Sequence, residues 1–211
     1  MHSILLSEDG ERLYVLFSEA DSVATFSAKT GEPHILCRVG ANPSSMVLDE
    51  SGRQLIVAGG KDSAVQRLCA HTLEIQEKIS MPGSVFCVDT LGDFCAALCL
   101  TDTLDTALVL ADGCGRIQGM RKFAGFPGAL LMMERVILTA VRGWLHVVSV
   151  QNLNVLHSIP APGCAGAIKT NGQEIVYLDK LHDMLYLFCR GRFYRISSDV
   201  TAFAPMPCIH R

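Results

Sequence analysis

Residues 42–60, NPSSMVLDESGRQLIVAGG, decide the fold. A proline leads into a short apolar run, a tight turn with Gly52 follows, and a second apolar run ends in two glycines. Two apolar runs joined by a glycine turn are typical of a β-hairpin. The same hairpin pattern occurs five times, in copies that begin at Ile4, Ser45, Val85, Ala129 and Gly166. The spacing between copies is about 40 residues, which is the period of a four-stranded propeller blade.

Each copy continues with two further short runs and ends in a linker that contains proline. A proline fixes φ and offers no N–H to a strand ladder, so it suits a connection between blades. These prolines are Pro43, Pro82, Pro127, Pro160, Pro162, Pro205 and Pro207. The turn of the first hairpin contains Gly10, Gly52, Gly92 or Gly172, and Met133 with Glu134 takes that turn in the fourth copy.

The repeat predicts an all-β protein, a β-propeller of about five four-stranded antiparallel blades. Many runs are apolar on both faces, as expected when blades stack face to face. We favour a ring of five blades, and an incomplete part of a larger propeller is the alternative. An open ring would leave two apolar blade faces uncovered and would favour self-association. The predicted single domain is 1–211, with approximate blade repeats 1–42, 43–81, 82–126, 127–161 and 162–203.

Composition excludes several classes of protein. The 211 residues are 49% hydrophobic and 18% charged, with a net charge of −3, which argues against a disordered chain. No basic stripe indicates a nucleic-acid partner, and no apolar stretch reaches the roughly 18 residues of a membrane span. The N-terminus lacks the pattern of a secretory signal. Nine scattered cysteines indicate reduced thiols, so we expect a cytoplasmic protein that binds neither nucleic acid nor membrane.

The spacing of cysteine and histidine predicts neither a metal site nor a cofactor. Cys95 and Cys99 lie four residues apart on one predicted strand, roughly 13 Å from each other, so one zinc ion could not bind both. We expect buried thiols there. His146 and His157 fall on neighbouring predicted strands, but no third ligand accompanies them. Nucleophile motifs and phosphate-binding loops are also missing, so no catalytic residue is assigned.

The turns before the third predicted strand share a polar pattern. These turns fall on one rim of a propeller, where carboxylates interrupted by Arg142 and Trp144 could bind a cation, a basic peptide or a partner protein. The alternative is that each aspartate caps its own turn by accepting backbone N–H groups. Trp144, the only tryptophan, is expected in a loop, where it either anchors an interface or packs over a blade edge. The predicted binding residues are Asp21, Asp62, Asp105, Arg142, Trp144 and Asp183.

The first two copies resemble repeats of the YVTN β-propeller family, which are distantly similar to WD repeats. The resemblance rests on SEDGERLYVLFSEADSVATFSAKTGE, residues 7–32, and NPSSMVLDESGRQLIVAGGKDSAVQRLCAHTLE, residues 42–74. Both have an acidic glycine turn before L-Y/I-V and a T-G-E or T-L-E turn after the third run. The similarity fades in the last three copies, and the Gly-His and Trp-Asp marks of WD repeats are absent. It implies a propeller, usually of seven blades, and no catalytic residues.

We therefore favour a non-catalytic binding or scaffold propeller that contacts a protein or peptide partner through its rim loops. This preference rests partly on the fold, which does not by itself define a function. The alternative is a propeller enzyme, lactonase-like or hydrolase-like, with a site in the central channel. Asp49, Asp89 and Lys169 would lie near that channel, which is a small set for catalysis. A sensor or adaptor within a larger chain is a third interpretation.

Overall fold

The computed structural model describes residues 2–170, 174–189 and 192–197. Within them, twenty β-strands form five four-stranded sheets, and the strands of each sheet follow one another in chain order. Every pairing is antiparallel. These sheets confirm the predicted all-β propeller fold with five four-stranded antiparallel blades. Gly172, Pro205, Pro207 and residues 198–203 of the last predicted repeat lie outside the described residues.

The five sheets are named blades 1 to 5 in chain order. Blade 1 contains β1 (His2–Leu6), β2 (Arg12–Phe17), β3 (Ser22–Ser27) and β4 (Pro33–Arg38). Blade 2 contains β5 (Ser45–Leu48), β6 (Gln54–Ala58), β7 (Ala64–Cys69) and β8 (Ile75–Ser80), with one turn of 3-10 helix, Gly60–Asp62, between β6 and β7. Blade 3 contains β9 (Ser84–Leu91), β10 (Phe94–Leu100), β11 (Thr106–Ala111) and β12 (Ile117–Phe123).

Blade 4 contains β13 (Pro127–Met132), β14 (Val136–Val141), β15 (Trp144–Ser149) and β16 (Val155–Pro160). Blade 5 contains β17 (Ala165–Thr170), β18 (Ile175–Asp179), β19 (Met184–Cys189) and β20 (Arg192–Ser197). The chain divides into two compact units, Met1–Phe123 with blades 1 to 3 and Ala124–Arg211 with blades 4 and 5. The single domain expected from the sequence therefore stays a prediction.

In the first unit, blade 2 is buried on both faces. Leu55 and Val57 pack with Tyr14 of blade 1, whereas Ile56 and Val65 pack with the apolar face of blade 3. Successive residues of a strand point to opposite faces, so a continuous apolar run such as β6 is required where both faces are covered. This is why the runs lack the apolar–polar alternation of a half-exposed sheet.

Serine hydroxyls join the first strands of blades 2 and 3. The Ser44 hydroxyl donates to the carbonyl of Val85 at 2.7 Å, and the Val88 N–H donates to the hydroxyl of Ser45 at 3.0 Å. The two neighbouring blades are therefore held by directional bonds as well as by apolar packing.

In the second unit, blades 4 and 5 share one apolar core. Leu131, Leu138 and Leu145 of blade 4 belong to the same buried cluster as Ile168 and Tyr177 of blade 5. The aromatic ring of Tyr177 also meets a second ring within blade 5, edge to face, with ring centroids 5.0 Å apart. Such pairs add a modest stabilisation beyond the area that they bury.

The turn glycines behave as the sequence predicts, whereas two prolines and the tryptophan do not. Gly10, Gly52 and Gly92 have φ values of 71°, 65° and 55°, which favour glycine. Two prolines expected in linkers are instead terminal residues of strands, Pro127 in β13 and Pro160 in β16. A strand end tolerates proline because no ladder bond is lost there. Trp144, expected in a loop, is the first residue of β15.

No helix within the described residues has the length and apolar character that crossing a membrane requires.

Candidate functional site

In each blade one turn joins the second and third strands, and these five turns share one backbone feature. Each contains a residue other than glycine in the left-handed region, where side chains are disfavoured and aspartate and asparagine are the best tolerated. A tight reversal between two antiparallel strands requires this conformation, whichever residue the sequence supplies. The residues and their φ values are Asp21 (51°), Ser63 (48°), Leu104 (61°), Arg142 (44°) and Asp183 (51°).

The four predicted aspartates do not occupy one equivalent position in these turns. Asp21 and Asp183 are themselves the left-handed residues, whereas Asp62 precedes the left-handed Ser63 and Asp105 follows Leu104. The recurrence in the sequence is therefore not a recurrence of side-chain geometry. Asp21, Asp62 and Asp105 lie in the first unit, and Asp183 lies in the second.

Two of these carboxylates bond to groups near their own turns. Asp21 accepts the backbone N–H of Asn42 at 2.7 Å, which ties its turn to the linker that follows blade 1. Asp105 accepts the hydroxyl of Thr103 at 3.2 Å. Asp62 lies 3.6 Å from the Lys78 ammonium group, a partly exposed ion pair of small energetic value. These contacts agree with a structural role for Asp21 and Asp105.

The turn of blade 4 presents a different chemistry, an arginine and two exposed aromatic rings. The Arg142 N–H donates to the carbonyl of Phe126 at 3.3 Å, and the Ala161 N–H donates to the carbonyl of Gly143 at 2.8 Å. These bonds place Phe126, Arg142 and Trp144 at the same end of blade 4. Phe126 is 58% exposed and Trp144 is 45% exposed. Among the described residues, no carboxylate lies within ion-pair distance of the Arg142 guanidinium group.

Blade 5 contains a buried carboxylate that the sequence did not single out. Asp179 accepts the N–H groups of Cys164 and Leu181, each at 2.9 Å, and its other oxygen lies 2.7 Å from Nδ1 of His182. Burial would raise the pKa of Asp179, but the hydrogen bonds from Cys164, His182 and Leu181 outweigh it and hold the pKa below its usual value. An aspartate that ends the apolar run IVYLD was the signal that could have identified it.

Asp179 and Tyr177 together fix the linker between blades 4 and 5. The Tyr177 hydroxyl donates to the carbonyl of Pro162 at 2.9 Å, and Asp179 bonds the N–H of Cys164 two residues further on. Gly163 lies between them with φ 54°, and a Cβ there would lie only 2.0 Å from a carboxylate oxygen of Asp179. The linker therefore requires glycine at this position, and Asp179 has a structural role.

The residues considered for channel chemistry have ordinary structural surroundings. Asp49 accepts the Ser51 hydroxyl at 2.6 Å and the Gln54 N–H at 2.9 Å, so it stabilises the turn between β5 and β6. Asp89, on β9, accepts the N–H of the next residue, and Lys169 is exposed on β17. In the part of the chain that the structure describes, no group of three or more His, Cys, Asp or Glu residues could hold a metal ion.

Strand register separates the two histidines considered as metal ligands, and the two cysteines on β10 are buried. His146 pairs with Ser158, whose hydroxyl lies 2.8 Å from Nδ1, whereas His157 pairs with Val147 on the other face. Burial lowers the pKa of His146. Cys95 and Cys99 are buried, which confirms the prediction of buried thiols, and their burial raises the pKa of both thiols to about 12.

Comparison with known proteins supports the class of fold and no finer assignment. The chain is a β-propeller with similarity to WD40 domains. No family model matches the sequence, and no curated protein sequence matches it, so the likeness to the YVTN family remains a resemblance.

Two solved structures illustrate the likeness. Kuenenia stuttgartiensis hydrazine synthase matches with a TM-score of 0.69 and 15% identity, over 87% of this chain and 63% of that one. The Neurospora crassa Pan2 WD40 domain matches with a TM-score of 0.68 and 12% identity, over 88% of this chain and 60% of that one. The chain thus spans about three fifths of these structures. Identities this low show the fold alone, and one fold supports unrelated functions.

Proposed function

We propose that this chain is a non-catalytic interaction module that binds a protein or peptide partner through the turns between its second and third strands. The observation that carries the proposal is the exposed group of Phe126, Arg142 and Trp144 at one end of blade 4. Tryptophan and arginine are the side chains most enriched among residues that dominate binding energy. The likeness to a WD40 domain agrees with this proposal at the level of the fold.

The backbone of the turn does not account for the arginine. Arg142 has a φ of 44°, and the equivalent turns place Ser63 and Leu104 in the same region, so this conformation selects no particular side chain. The proposal therefore rests on the exposure of Phe126, Arg142 and Trp144.

The proposal is tested by capture from the native cell lysate with the tagged protein and a double variant, Arg142→Ser with Trp144→Ser. A matched control changes Leu104→Ser and Phe94→Ser. Leu104 shares the left-handed turn position of Arg142, and Phe94, 40% exposed, is the first residue of its strand, as Trp144 is.

We expect a stoichiometric partner that the wild type and the control retain and the Arg142/Trp144 variant loses. With the partner in hand, its Kd should rise at least about 30-fold in that variant, since dominant interface residues contribute about 2 kcal/mol or more. Equal binding by all three proteins would contradict the proposed surface. Absence of any partner would contradict the proposed function.

A further inference from the structure

A groove separates the outer strands of blades 1 and 2, within the first unit. It is a shallow groove of about 570 Å³, open to solvent along its length, so it suits a segment that lies along the surface better than an enclosed small molecule. Ile35 and Cys37 of β4 form one side, and Leu73, Glu74 and Ile75 form the other, at the turn into β8. Leu73 is buried, but Ile75 is 46% exposed, so the groove presents aliphatic surface to solvent.

The equivalent gap between blades 2 and 3 is filled by an ion pair. Arg67 of β7 donates to the carbonyls of Asp112, at 2.7 Å, and of Gly113. Its guanidinium group also lies 3.1 Å from the carboxylate of Glu77 on β8. The Glu77 carboxylate in turn covers Gly115, where a Cβ would collide with it. The arginine thus reaches from one blade to the turn of the next and occupies the space between them.

Strand register identifies the residues that take these places in blade 1. Thr25 and Arg67 are each the fourth residue of the third strand, each pairs with the outer strand, at Ile35 and Glu77, and each is followed by a register shift. Thr25 is too short to cross the gap, and Ile35 carries no charge. Among the described residues the buried Thr25 hydroxyl has no hydrogen-bond partner, so it makes no bond across the gap.

The turn between β7 and β8 of blade 2 is bonded instead by side chains of β2, the second strand of blade 1. Arg12 of β2 donates to the carbonyls of Ala70 and His71 at 3.1 Å, and the Tyr14 hydroxyl donates to the carbonyl of Ala70 at 3.1 Å. This arrangement fixes the turn without occupying the outer gap. The groove is therefore open because the arginine that bonds the neighbouring turn comes from the second strand of blade 1 and not, as Arg67 does in blade 2, from the third.

We propose that this groove binds an extended segment of a partner protein that carries an arginine or lysine next to aliphatic residues. Glu74 is the one charged residue among those that line the groove, so charge complementarity selects a basic side chain. Its methylene stem would pack on Ile35, Leu73 and Ile75, as long basic side chains do on apolar surfaces. The basic stem of the segment would occupy here the volume that Arg67 and Glu77 occupy in the next gap, since Arg12 and Tyr14 already bond the carbonyls of the turn.

The backbone of β4 favours an extended segment. β4 is the last strand of its sheet, so one edge of its backbone is not paired within that sheet. An extended peptide can add to such an edge while alternate side chains enter the adjacent groove. This surface is separate from the turn of blade 4 and does not rest on the function proposed above.

A phage library of random dodecapeptides, selected against the whole protein, tests the proposal. Selected peptides are synthesised with a fluorophore, and their Kd values are measured by fluorescence polarisation on the wild type and on Glu74→Lys and Ile75→Asp. Ile117→Asp is the matched control, because Ile117 is the first residue of β12, is 50% exposed, and belongs to the gap that Arg67 fills. Circular dichroism and urea unfolding establish that each variant is folded.

We expect peptides with arginine or lysine beside leucine, isoleucine or valine, and a Kd at least about tenfold higher on both groove variants. On Ile117→Asp the Kd should remain within about twofold. A third variant, Thr25→Arg with Ile35→Glu, transfers the Arg67–Glu77 pair to blade 1 and should abolish binding by filling the groove. Binding that survives all three groove variants, or no selected peptide at all, overturns the proposal. So does a selected peptide that only Arg142→Ser with Trp144→Ser removes.

Discussion

Replacing Asp179 with alanine should destabilise the second unit by an amount that its hydrogen bonds define. The N–H groups of Cys164 and Leu181 and the ring of His182 would lose their acceptor. A buried backbone donor left unpaired costs about 1–3 kcal/mol. The His182 side chain is 54% exposed, so water replaces its lost bond.

Cys164 and Leu181 are themselves exposed residues, so water also reaches part of what the two N–H groups lose. The expected cost of Asp179→Ala is therefore near the lower end of the summed cost of two unpaired backbone donors, about 2–3 kcal/mol. The measurement is urea unfolding followed by tryptophan fluorescence. The chain has a single tryptophan, Trp144, in the same unit as Asp179, so the signal reports on the unit that the change affects.

Gly163 provides an independent test of the same contact. Because a Cβ there would lie 2.0 Å from the Asp179 carboxylate, Gly163→Ala should destabilise wild type more than it destabilises the Asp179→Ala variant. The interaction free energy from this double-mutant cycle should be about 1–2 kcal/mol. Additive effects would refute the close contact, and an unchanged urea midpoint for Asp179→Ala would refute the role of the carboxylate.

The contribution of Asp179 should also depend on pH with a defined sign. Its pKa in the folded protein is lowered relative to about 3.9 in the unfolded chain. The stabilisation is therefore complete above about pH 4 and is lost as the pH falls through the folded value. We expect the difference in unfolding free energy between wild type and Asp179→Ala to shrink as the pH falls from 5 to 3. A constant difference throughout would contradict the assignment.

Three further outcomes follow from the described contacts. Arg67→Met should cost about 2–4 kcal/mol of unfolding free energy, because Glu77 and two carbonyl acceptors lose their partner; a cost below 1 kcal/mol in urea unfolding would contradict this. Leu55→Ala, at a fully buried site, should cost about 2–5 kcal/mol by the same assay. In native protein at pH 8, the Cys95 and Cys99 thiols should not react with a thiol reagent, because burial raises their pKa to about 12; mass spectrometry locates the label, and rapid modification of either would refute their burial.

The sequence was sufficient to predict the blades because the information is local and repeated. A glycine turn between two short apolar runs predicts a β-hairpin. Gly10, Gly52 and Gly92 adopt the positive φ that such turns need. The repeat then fixes how many such hairpins there are, and the apolar runs indicate that both faces are covered. Each of these inferences uses residues that are neighbours in the chain.

The candidate site was predicted less well because its geometry depends on single-residue offsets and distant contacts. The aspartates before the third strands are similar in sequence, but Asp62 and Asp105 lie on opposite sides of the left-handed residue in their turns. The roles of Asp179 and Arg67 depend on the turns or linkers that their side chains reach, 15 and 45 residues away. No local pattern encodes such a contact.

The three described junctions between blades are each held by a different set of hydrogen bonds. Arg12 and Tyr14 bond the turn of blade 2, Arg67 bonds the turn of blade 3, and Asp179 bonds the linker into blade 5. Repeats of similar sequence can exchange places during folding, and misassembly of that kind is a common failure of repeat proteins. At the first two junctions, however, the acceptors are backbone carbonyls, which the same turn of any blade would present. What differs is the donor, which comes from β2 in blade 1 and from β7 in blade 2. A copy of blade 1 in place of blade 2 would therefore carry its own donors, Arg12 and Tyr14, and these hydrogen bonds do not by themselves encode the order of the blades.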